Sequence, residues 1–596
     1  MQVIATAGHV DHGKSTLIRA LTGIEPDRLA EERQRGLTID LGFAWTSLPS
    51  GREVSFVDVP GHERFLGNML AGLGPAPIVC FVIAADEGWQ AQSGDHRDAI
   101  AALGIDQGLI VVTRADLAPD RVEDVIAQAR TELAGTGLAT APAVGVSAVT
   151  GQGLEELRTL LDAAVAGARA PSPTQRVRLW VDRAFSISGA GTIVTGTLPA
   201  GTLHREDRLQ LSGAQRDGEV VVRGLQSRGG QIPQLGPVSR AAVNLRGVGT
   251  EEIGRGDALL SPGAWHRTAL VDVRRSTGAG FADAPAELIV HVGTAAVSAR
   301  VRPLGEDHAR LTLARALPLS VGDRMVLRGS GRHSVRTGVQ VLDVDPPALD
   351  RRGDGARRRE LLASMPPGGD VALEVARRGA VPAGVLQRFG IPVPEQLPAG
   401  VSRFGDWLVD GGALERWTTR LGELVAADRR ADALSAGVPR KAAIDALALP
   451  DDGLLDTVVA AAASLALADG RVRDAAAPVG LGAAEPAVAE LEQRLQQRPF
   501  GAPEADDLSA LRLGAKELAA AAKQGRLLRL ADGVVLLPSA PALAMRELSR
   551  LPQPFTTSAA RQALGTTRRV AIPLLEHLDA RGWTRRTDAG HREIVR

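Results

Sequence analysis

Eight residues, Gly8-His9-Val10-Asp11-His12-Gly13-Lys14-Ser15, contain the only lysine among the first 440 positions of a chain in which four of the 69 basic residues are lysine. An ammonium is a compact point charge that fits between two phosphates where a planar guanidinium does not, and the spacing is that of a phosphate-binding loop. Gly8 to Gly13 would offer backbone N–H groups, Lys14 would hold phosphate, Ser15 would ligate magnesium, and Thr16 would continue the cradle into a helix. Thr38, 24 residues after Lys14, supplies a second hydroxyl able to close on a terminal phosphate and the metal. Asp58 stands at a strand tip within reach of the metal through water, and Gly61 has no side chain to block a close approach to phosphate. His62, one step further, is placed to orient an attacking water, as a glutamine does in other nucleotide hydrolases. Thr113-Arg114-Ala115-Asp116 ends another strand, and a carboxylate at Asp116 accepts from the ring N–H and exocyclic amine of guanine, donors that adenine lacks. Ser147 and Ala148 would close over the base edge. The order of these motifs predicts a GTPase site that uses GTP/GDP and magnesium.

These residues need strand ends to hold them. Gln2 to Ala7, Val54 to Val59, Ile78 to Ala84, Leu109 to Val112 and Ala143 to Val146 read as buried strands, and Ser15 to Leu21 opens an amphipathic helix. An α/β P-loop GTPase domain is therefore expected over 1–170. Pro171-Ser172-Pro173 marks a boundary. Short alternating segments punctuated by Gly follow, predicting two β-barrels at 174–265 and 266–346. Beyond Pro346-Pro347 the chain becomes Ala- and Leu-rich, with hairpins such as Gly525 to Gly533 and Gly582 to Gly590 recurring near a 60-residue spacing. About four tandem winged-helix units are expected, at 350–412, 413–476, 477–540 and 541–596. The multidomain fold class is thus a GTPase domain, two barrels and a winged-helix tail.

Composition narrows the setting. With 596 residues, 44% of them hydrophobic, the chain has material for several cores. Its one cysteine, Cys80, lies in the apolar run Ile78 to Ile83 and is expected to pack there, leaving no disulfide or cysteine-rich metal site. No charged-then-apolar leader and no run of 18 apolar residues is seen, so a cytoplasmic protein without a membrane span is expected. Residues 541–596 hold ten Arg and five acids, a net of +5, while the whole chain is neutral, so 1–540 carry −5. That is an electrostatic footprint for nucleic-acid phosphate. The charge run from Arg351 to Arg359 is expected to be a solvated linker and first helix.

The segments GHVDHGKST, RGLTIDLGFAW, DVPGHERFLGNMLAG, AADEGWQAQSGDH and TRADL resemble those of bacterial selenocysteine-specific elongation factors, the SelB family of translational GTPases, and are less similar to elongation factor Tu. Asp182 to Phe185 and Gly189 to Thr197, Ala190 among them, resemble the family's second domain. The family's usual Lys near Asp116 is replaced by Arg114, whose stem and plane can still cover a guanine face. The resemblance implies ribosome-stimulated GTP hydrolysis with His62 catalytic behind an apolar gate of Val10 and Leu37. It implies a cytoplasmic monomer whose partners are selenocysteinyl-tRNA, the ribosome and an mRNA stem-loop. Asp182, Arg183 and Arg223 are assigned to an aminoacyl-tRNA pocket, since a selenol ionised at neutral pH favours a paired cation. Thr566, Thr567, Arg568 and Arg569 at a helix start, with Arg585 and Arg586 on a wing, are assigned to RNA binding. Two other functions stay open at this point: a general aminoacyl-tRNA elongation factor, and a GTP-sensing winged-helix regulator that binds DNA.

Overall fold

A computed structural model describes residues 2–26, 32, 38–168, 171–189, 191–329, 331, 334–432, 435–476, 481 and 484–595. Leu37 and the segment before it lie outside the described residues, as does Ala190. The chain forms two compact units, Met1–Leu408 and Val409–Arg596.

The first unit begins with a six-stranded sheet. Strands β1 (Gln2–Ala7), β2 (Gly42–Ser47), β3 (Glu53–Asp58), β4 (Ile78–Ala84), β5 (Gln107–Thr113) and β6 (Ala143–Gly145) lie in the order β2-β3-β1-β4-β5-β6. Only β2 runs antiparallel, against β3. Every residue of β1 and β4 is buried, as continuous apolar runs require when helices cover both faces. One core packs Leu66, Leu70, Ile100 and Leu133 on one face, and another packs Leu17, Leu21, Leu157 and Leu161 on the other. Cys80 is buried in the second, where burial pushes its thiol up to about 12. The loops after β1, β3, β5 and β6 leave the carboxyl ends of strands, the edge at which open α/β sheets bind ligands.

The first barrel follows. Its strands are β7 (Arg178–Ile187), β8 (Gly191–Leu198), β9 (Arg208–Ser212), β10 (Asp217–Ser227), β11 (Ser239–Arg246) and β12 (Ala258–Leu260). They run in the order β9-β12-β7-β8-β11-β10, with β9 also pairing β10, so six strands close into a ring. Six further strands between Arg267 and Asp343 close the second barrel.

Helices Asp354–Ser364, Val371–Arg378 and Ala383–Phe389 come next, with strands Ala380–Pro382, Val401–Phe404 and Trp407–Asp410. Their Val375, Val381, Leu386 and Phe389 belong to the same hydrophobic core as Val271, Leu311 and Val341 of the second barrel. This corrects the expectation for the charge run at Arg351 to Arg359. Arg358 is buried, and it donates to Asp272 at 2.7 Å and Asp343 at 2.5 Å, beside Arg310, which donates to Asp272 at 2.7 and 2.9 Å. The other arginines of the run are solvated, but this one neutralises carboxylates that the barrel buries, and removing one partner of such a cluster leaves an uncompensated charge.

In the second unit, helices Gly411–Ala431, Arg440–Leu447 and Leu454–Ala461 surround one small core with the hairpin Leu465–Ala468 and Arg471–Asp474. Its turn is Asp469-Gly470, with φ of 50° and 69°, the left-handed pair that a two-residue hairpin turn requires. Residues 481 to 594 share a single core. Leu491, Leu495 and Leu518 pack in one cluster with Leu548, Leu574 and Leu578. The expected border at 540 and 541 thus crosses continuous packing.

Candidate functional site

The loop after β1 turns through left-handed backbone at Asp11 (φ 65°) and Gly13 (φ 78°) into the helix Lys14–Thr22. Gly8 packs so closely on β4 that a Cβ there would meet the Val82 carbonyl oxygen at 2.1 Å. Lys14 is buried, and its Nζ donates to the carbonyls of Gly8 at 3.0 Å and His9 at 2.7 Å, which bends the loop around the ammonium. Gly61 approaches from the loop after β3. A Cβ on it would lie 2.4 Å from the Val10 nitrogen and 2.6 Å from Lys14 Nζ, so only glycine fits.

Ser15, Thr38 and Asp58 converge although 23 and 43 residues separate Ser15 from the other two. Ser15 Oγ lies 3.1 Å from Thr38 Oγ1 and donates to Asp58 Oδ2 at 2.6 Å. Thr6 Oγ1 donates to Asp58 Oδ1 at 2.7 Å and accepts from Val59 N–H at 3.2 Å, fixing the carboxylate on the strand tip. Burial pushes the Asp58 carboxyl above its usual range, opposed by the Lys14 charge and by the bonds from Ser15 and Thr6. Two hydroxyls and one carboxylate are hard oxygen donors with a small charge, a set that suits magnesium, which keeps waters and takes its remaining oxygens from phosphate.

His62 lies half-buried at the start of a short 3-10 turn, where its Nδ1 accepts from Arg64 N–H at 3.2 Å. Val10 is half-buried, and its N–H donates to Gln92 Oε1 at 3.3 Å.

At the base end, Thr113 Oγ1 donates to the His12 carbonyl at 2.7 Å, tying β5 to the phosphate loop. Arg114 takes left-handed backbone (φ 54°) and donates to Asp86 at 2.9 Å, to Glu87 at 2.7 Å and to the Asp11 carbonyl. The guanidinium is thereby anchored along the loop. Ala115 N–H donates to the Val146 carbonyl at 3.1 Å, which sets Asp116 beside Ser147 and Ala148. Asp116 is exposed, and Ser147 is buried with its Oγ accepting from Val149 and Thr150 N–H at 3.3 and 3.1 Å.

Sequence reasoning assigned no role to Gln92, His96 or Thr6. Gln92 and His96 lie four apart, hence on one face of the helix Ala91–Leu103, and that i, i+4 spacing just after the strand end at Ala84 was the available signal. His96 is buried, its Nδ1 accepts from Gly8 N–H at 3.2 Å, and burial, aided by the Lys14 charge, pushes it down to about 3. His12 is fully buried and is pushed down to about 4, by burial first and then by neighbouring His9. Both rings are neutral beside the loop.

The barrel residues are arranged differently from expectation. Asp182 is buried, accepting from Thr195 Oγ1 at 2.6 Å and pairing with Arg240, a residue that carried no local signal. Arg183 reaches Asp40 of the first domain. Arg223 is exposed on β10 and lines a separate cavity of about 540 Å³ with Ile193, Arg205, Gln226 and Asn244. Asp182, Arg183 and Arg223 therefore do not form one pocket. Bulges at Val181/Arg183 and Val222/Gly224 re-aim the two strands, and register, not sequence spacing, decides which side chains meet.

The tail needs a similar correction. Thr566 Oγ1 donates to the Phe500 carbonyl at 2.5 Å, and Arg569 donates to the carbonyls of Ala502 and Pro503 at 3.2 and 3.0 Å and pairs with Glu504 at 3.0 Å. Both are struts between neighbouring helix-and-hairpin layers. Thr567 and Arg568 remain exposed at the start of the helix Arg568–Ala580. Arg585 is exposed but pairs with Glu593, and Arg586 is exposed 4.0 Å from Glu576.

Family comparisons agree with this architecture. The Elongation factor Tu GTP binding domain matches residues 1–167, the beta-barrel domain of selenocysteine-specific elongation factor matches 283–348, and the winged helix of elongation factor SelB matches 546–592. The chain is 36% identical over 352 residues to the selenocysteine-specific elongation factor of Escherichia coli (strain K12), covering 59% of this chain and 56% of that one, so the match spans little more than half of that relative. It is 32% identical to elongation factor 1-alpha of Methanopyrus kandleri, over 44% of this chain and 70% of that protein. The crystal structure of a bacterial selenocysteine-specific elongation factor, EF-Sec, superposes with a TM-score of 0.72 at 25% identity, covering 100% of both chains. With an elongation-factor GTP-binding domain, a SelB-type beta-barrel and a SelB winged helix in that order, and a superposition on EF-Sec along the whole chain, the chain belongs to the SelB family of elongation factors.

Proposed function

We propose that this chain is a GTP-hydrolysing elongation factor that delivers selenocysteinyl-tRNA to the ribosome at UGA codons while its winged helices hold an mRNA stem-loop. It works as a cytoplasmic monomer. The observation that carries the reading is the convergence of Ser15, Thr38 and Asp58 beside Lys14, since it joins the switch segment to the phosphate loop. Magnesium held by these three would supply charge neutralisation at the phosphate oxygens. Lys14 and the loop N–H groups bind the phosphates, and Gly61 admits its own N–H to the terminal one. With Nδ1 of His62 committed to Arg64, Nε2 is the atom left to orient water, and Val10 with Leu37 screens it until the ribosome acts. Asp116, Ser147 and Ala148 read guanine, and Arg114 and Thr113 clamp that reader to the loop.

The domain borders we assign are 1–170 for the GTPase, 174–265 and 266–346 for the barrels, and 350–412, 413–476, 477–540 and 541–596 for four winged helices. Cargo is read by the first barrel, with Asp182 and Arg183 on its switch-facing side and Arg223 in the neighbouring cavity. RNA is gripped by Thr567, Arg568, Arg585 and Arg586, with specificity drawn from loop or bulged bases. Protection of selenocysteinyl-tRNA and seryl-tRNA from deacylation in the presence of GTP tests the cargo assignment. Preferential protection of the first is expected, and equal protection of both overturns it.

A further inference from the structure

One carboxylate fastens the described end of the switch segment to the first barrel. Asp40, two residues after Thr38, accepts from Arg183 Nη2 at 2.8 Å on one oxygen and from Arg255 Nη2 at 2.7 Å on the other. Arg255 also donates Nε to the Asp182 carbonyl at 2.9 Å and pairs through Nη1 with Asn68, whose amide donates to the Ile39 carbonyl at 2.8 Å. The N–H groups of Ile39 and Asp40 both donate to Glu32 at 3.0 Å. At the other end of this three-residue stretch, Thr38 meets Ser15 at the metal cluster. Two Cα–Cα steps span only about 7.6 Å, so Thr38 cannot leave the metal cluster without loading Asp40.

Beyond the clasp lies a hollow between β2 and the barrel, lined by Phe43, Arg183, Phe185, Thr195 and Arg240. Arg240 sits 4.0 Å over the Phe43 ring and pairs with Asp182, so the shape of the hollow depends on how closely β2 and β7 are held. We propose that Asp40 is the positioning residue that transmits the state of the nucleotide to this tRNA-facing hollow, by docking Arg183 and Arg255 onto the switch when Thr38 is held at the metal. The inference rests on the cargo-carrying reading above only for the identity of what enters the hollow.

The test uses the full chain as wild type, Asp40→Asn, Asp40→Glu and Arg255→Gln. Two readouts are taken with GDP and with a non-hydrolysable GTP analogue: selenocysteinyl-tRNA affinity, and backbone hydrogen exchange of residues 178–187. In Asp40→Asn and Arg255→Gln, the ratio of cargo affinities between the two nucleotides should fall by about tenfold or more, while nucleotide affinity stays within about threefold. The nucleotide-dependent exchange of β7 should vanish with it, and Asp40→Glu should restore both in part. A wild-type ratio and exchange response in Asp40→Asn would overturn the proposal, as would a wild-type protein whose β7 exchange ignores the nucleotide. If β7 exchange follows the nucleotide in wild type and not in Asp40→Asn, yet neither binds this tRNA, the clasp stands and the cargo reading falls.

Discussion

The nucleotide site and the last helix-and-hairpin layer were both assigned from short runs of residues, yet the structure treats the two assignments differently. Ser15, Thr38 and Asp58 meet within hydrogen-bond distance, whereas Thr566 and Arg569 turn inward to hold the Phe500 to Glu504 segment. Phosphate binding needs backbone N–H groups, one ammonium and small residues at strand ends, a requirement so narrow that few other structures use that spacing. An arginine has no such narrow use. Its five donors serve a buried carbonyl as readily as a phosphate, so charge density alone overstates a binding face.

The sharpest break in this comparison is at the base. Asp116→Asn should move preference from GTP toward xanthosine triphosphate by about 1,000-fold, since the ring N–H is common to both bases while the amine that donates to the carboxylate becomes in xanthine a carbonyl that accepts from the amide. Competitive binding of the two nucleotides measures it, and unchanged GTP preference would remove the Thr113 to Asp116 assignment.

His62→Ala should slow ribosome-stimulated hydrolysis by about 100-fold or more while GTP binding survives. Single-turnover phosphate release measures this, and normal turnover would leave His62 as a cap for the turn at Arg64.

Within the tail, separating the two neighbouring arginines sharpens the contrast. Arg569→Ala should destabilise the second unit by about 1 to 3 kcal/mol, because it strands the part-buried carbonyls of Ala502 and Pro503. Arg568→Ala should leave the melting curve alone, weaken stem-loop binding and reduce its salt slope by about 1. Thermal denaturation and filter binding against salt check both, and identical melting losses in the two variants would erase the distinction. These measurements belong on the whole chain, since cutting at 541 exposes the core that residues 481 to 594 share.

The smallest effect is electrostatic. His12, pushed down to about 4, binds a proton more readily unfolded, near 6.5, than folded. The unfolded state therefore holds more protons in that window, so its contribution is present above 6.5 and is lost as the pH falls toward about 4. Denaturant unfolding of wild type and His12→Gln across this range should show a shallower decline in the variant, and parallel curves would assign the acid sensitivity elsewhere.

Much of the first domain was legible because strands such as Ile78 to Ala84 are continuous apolar runs and end where a motif begins. The Gly525 to Gly533 hairpin was legible for a related reason, since its Asp532-Gly533 step takes a left-handed backbone that few residue pairs accept. His96 and Gln92 were visible only as a spacing on one helix face, and Arg240 carried no local mark, since its partner Asp182 lies 58 residues away and faces it only through strand register.

By itself the sequence determined the phosphate loop, the strand-end turn at Thr113 to Asp116 and the division into a parallel-sheet domain, barrels and helical tail, because local backbone conformation and hydrophobic period specify those without reference to distant residues. Tertiary structure alone decided which arginines are surface and which are struts: Arg358 in a buried cluster, Arg569 under its neighbour's loop, Arg183 and Arg255 on Asp40. The side chain is the same in each case, and its role is set by which carboxylate or carbonyl the packing brings within 3 Å, a quantity that depends on register and layer contacts between residues far apart in the chain.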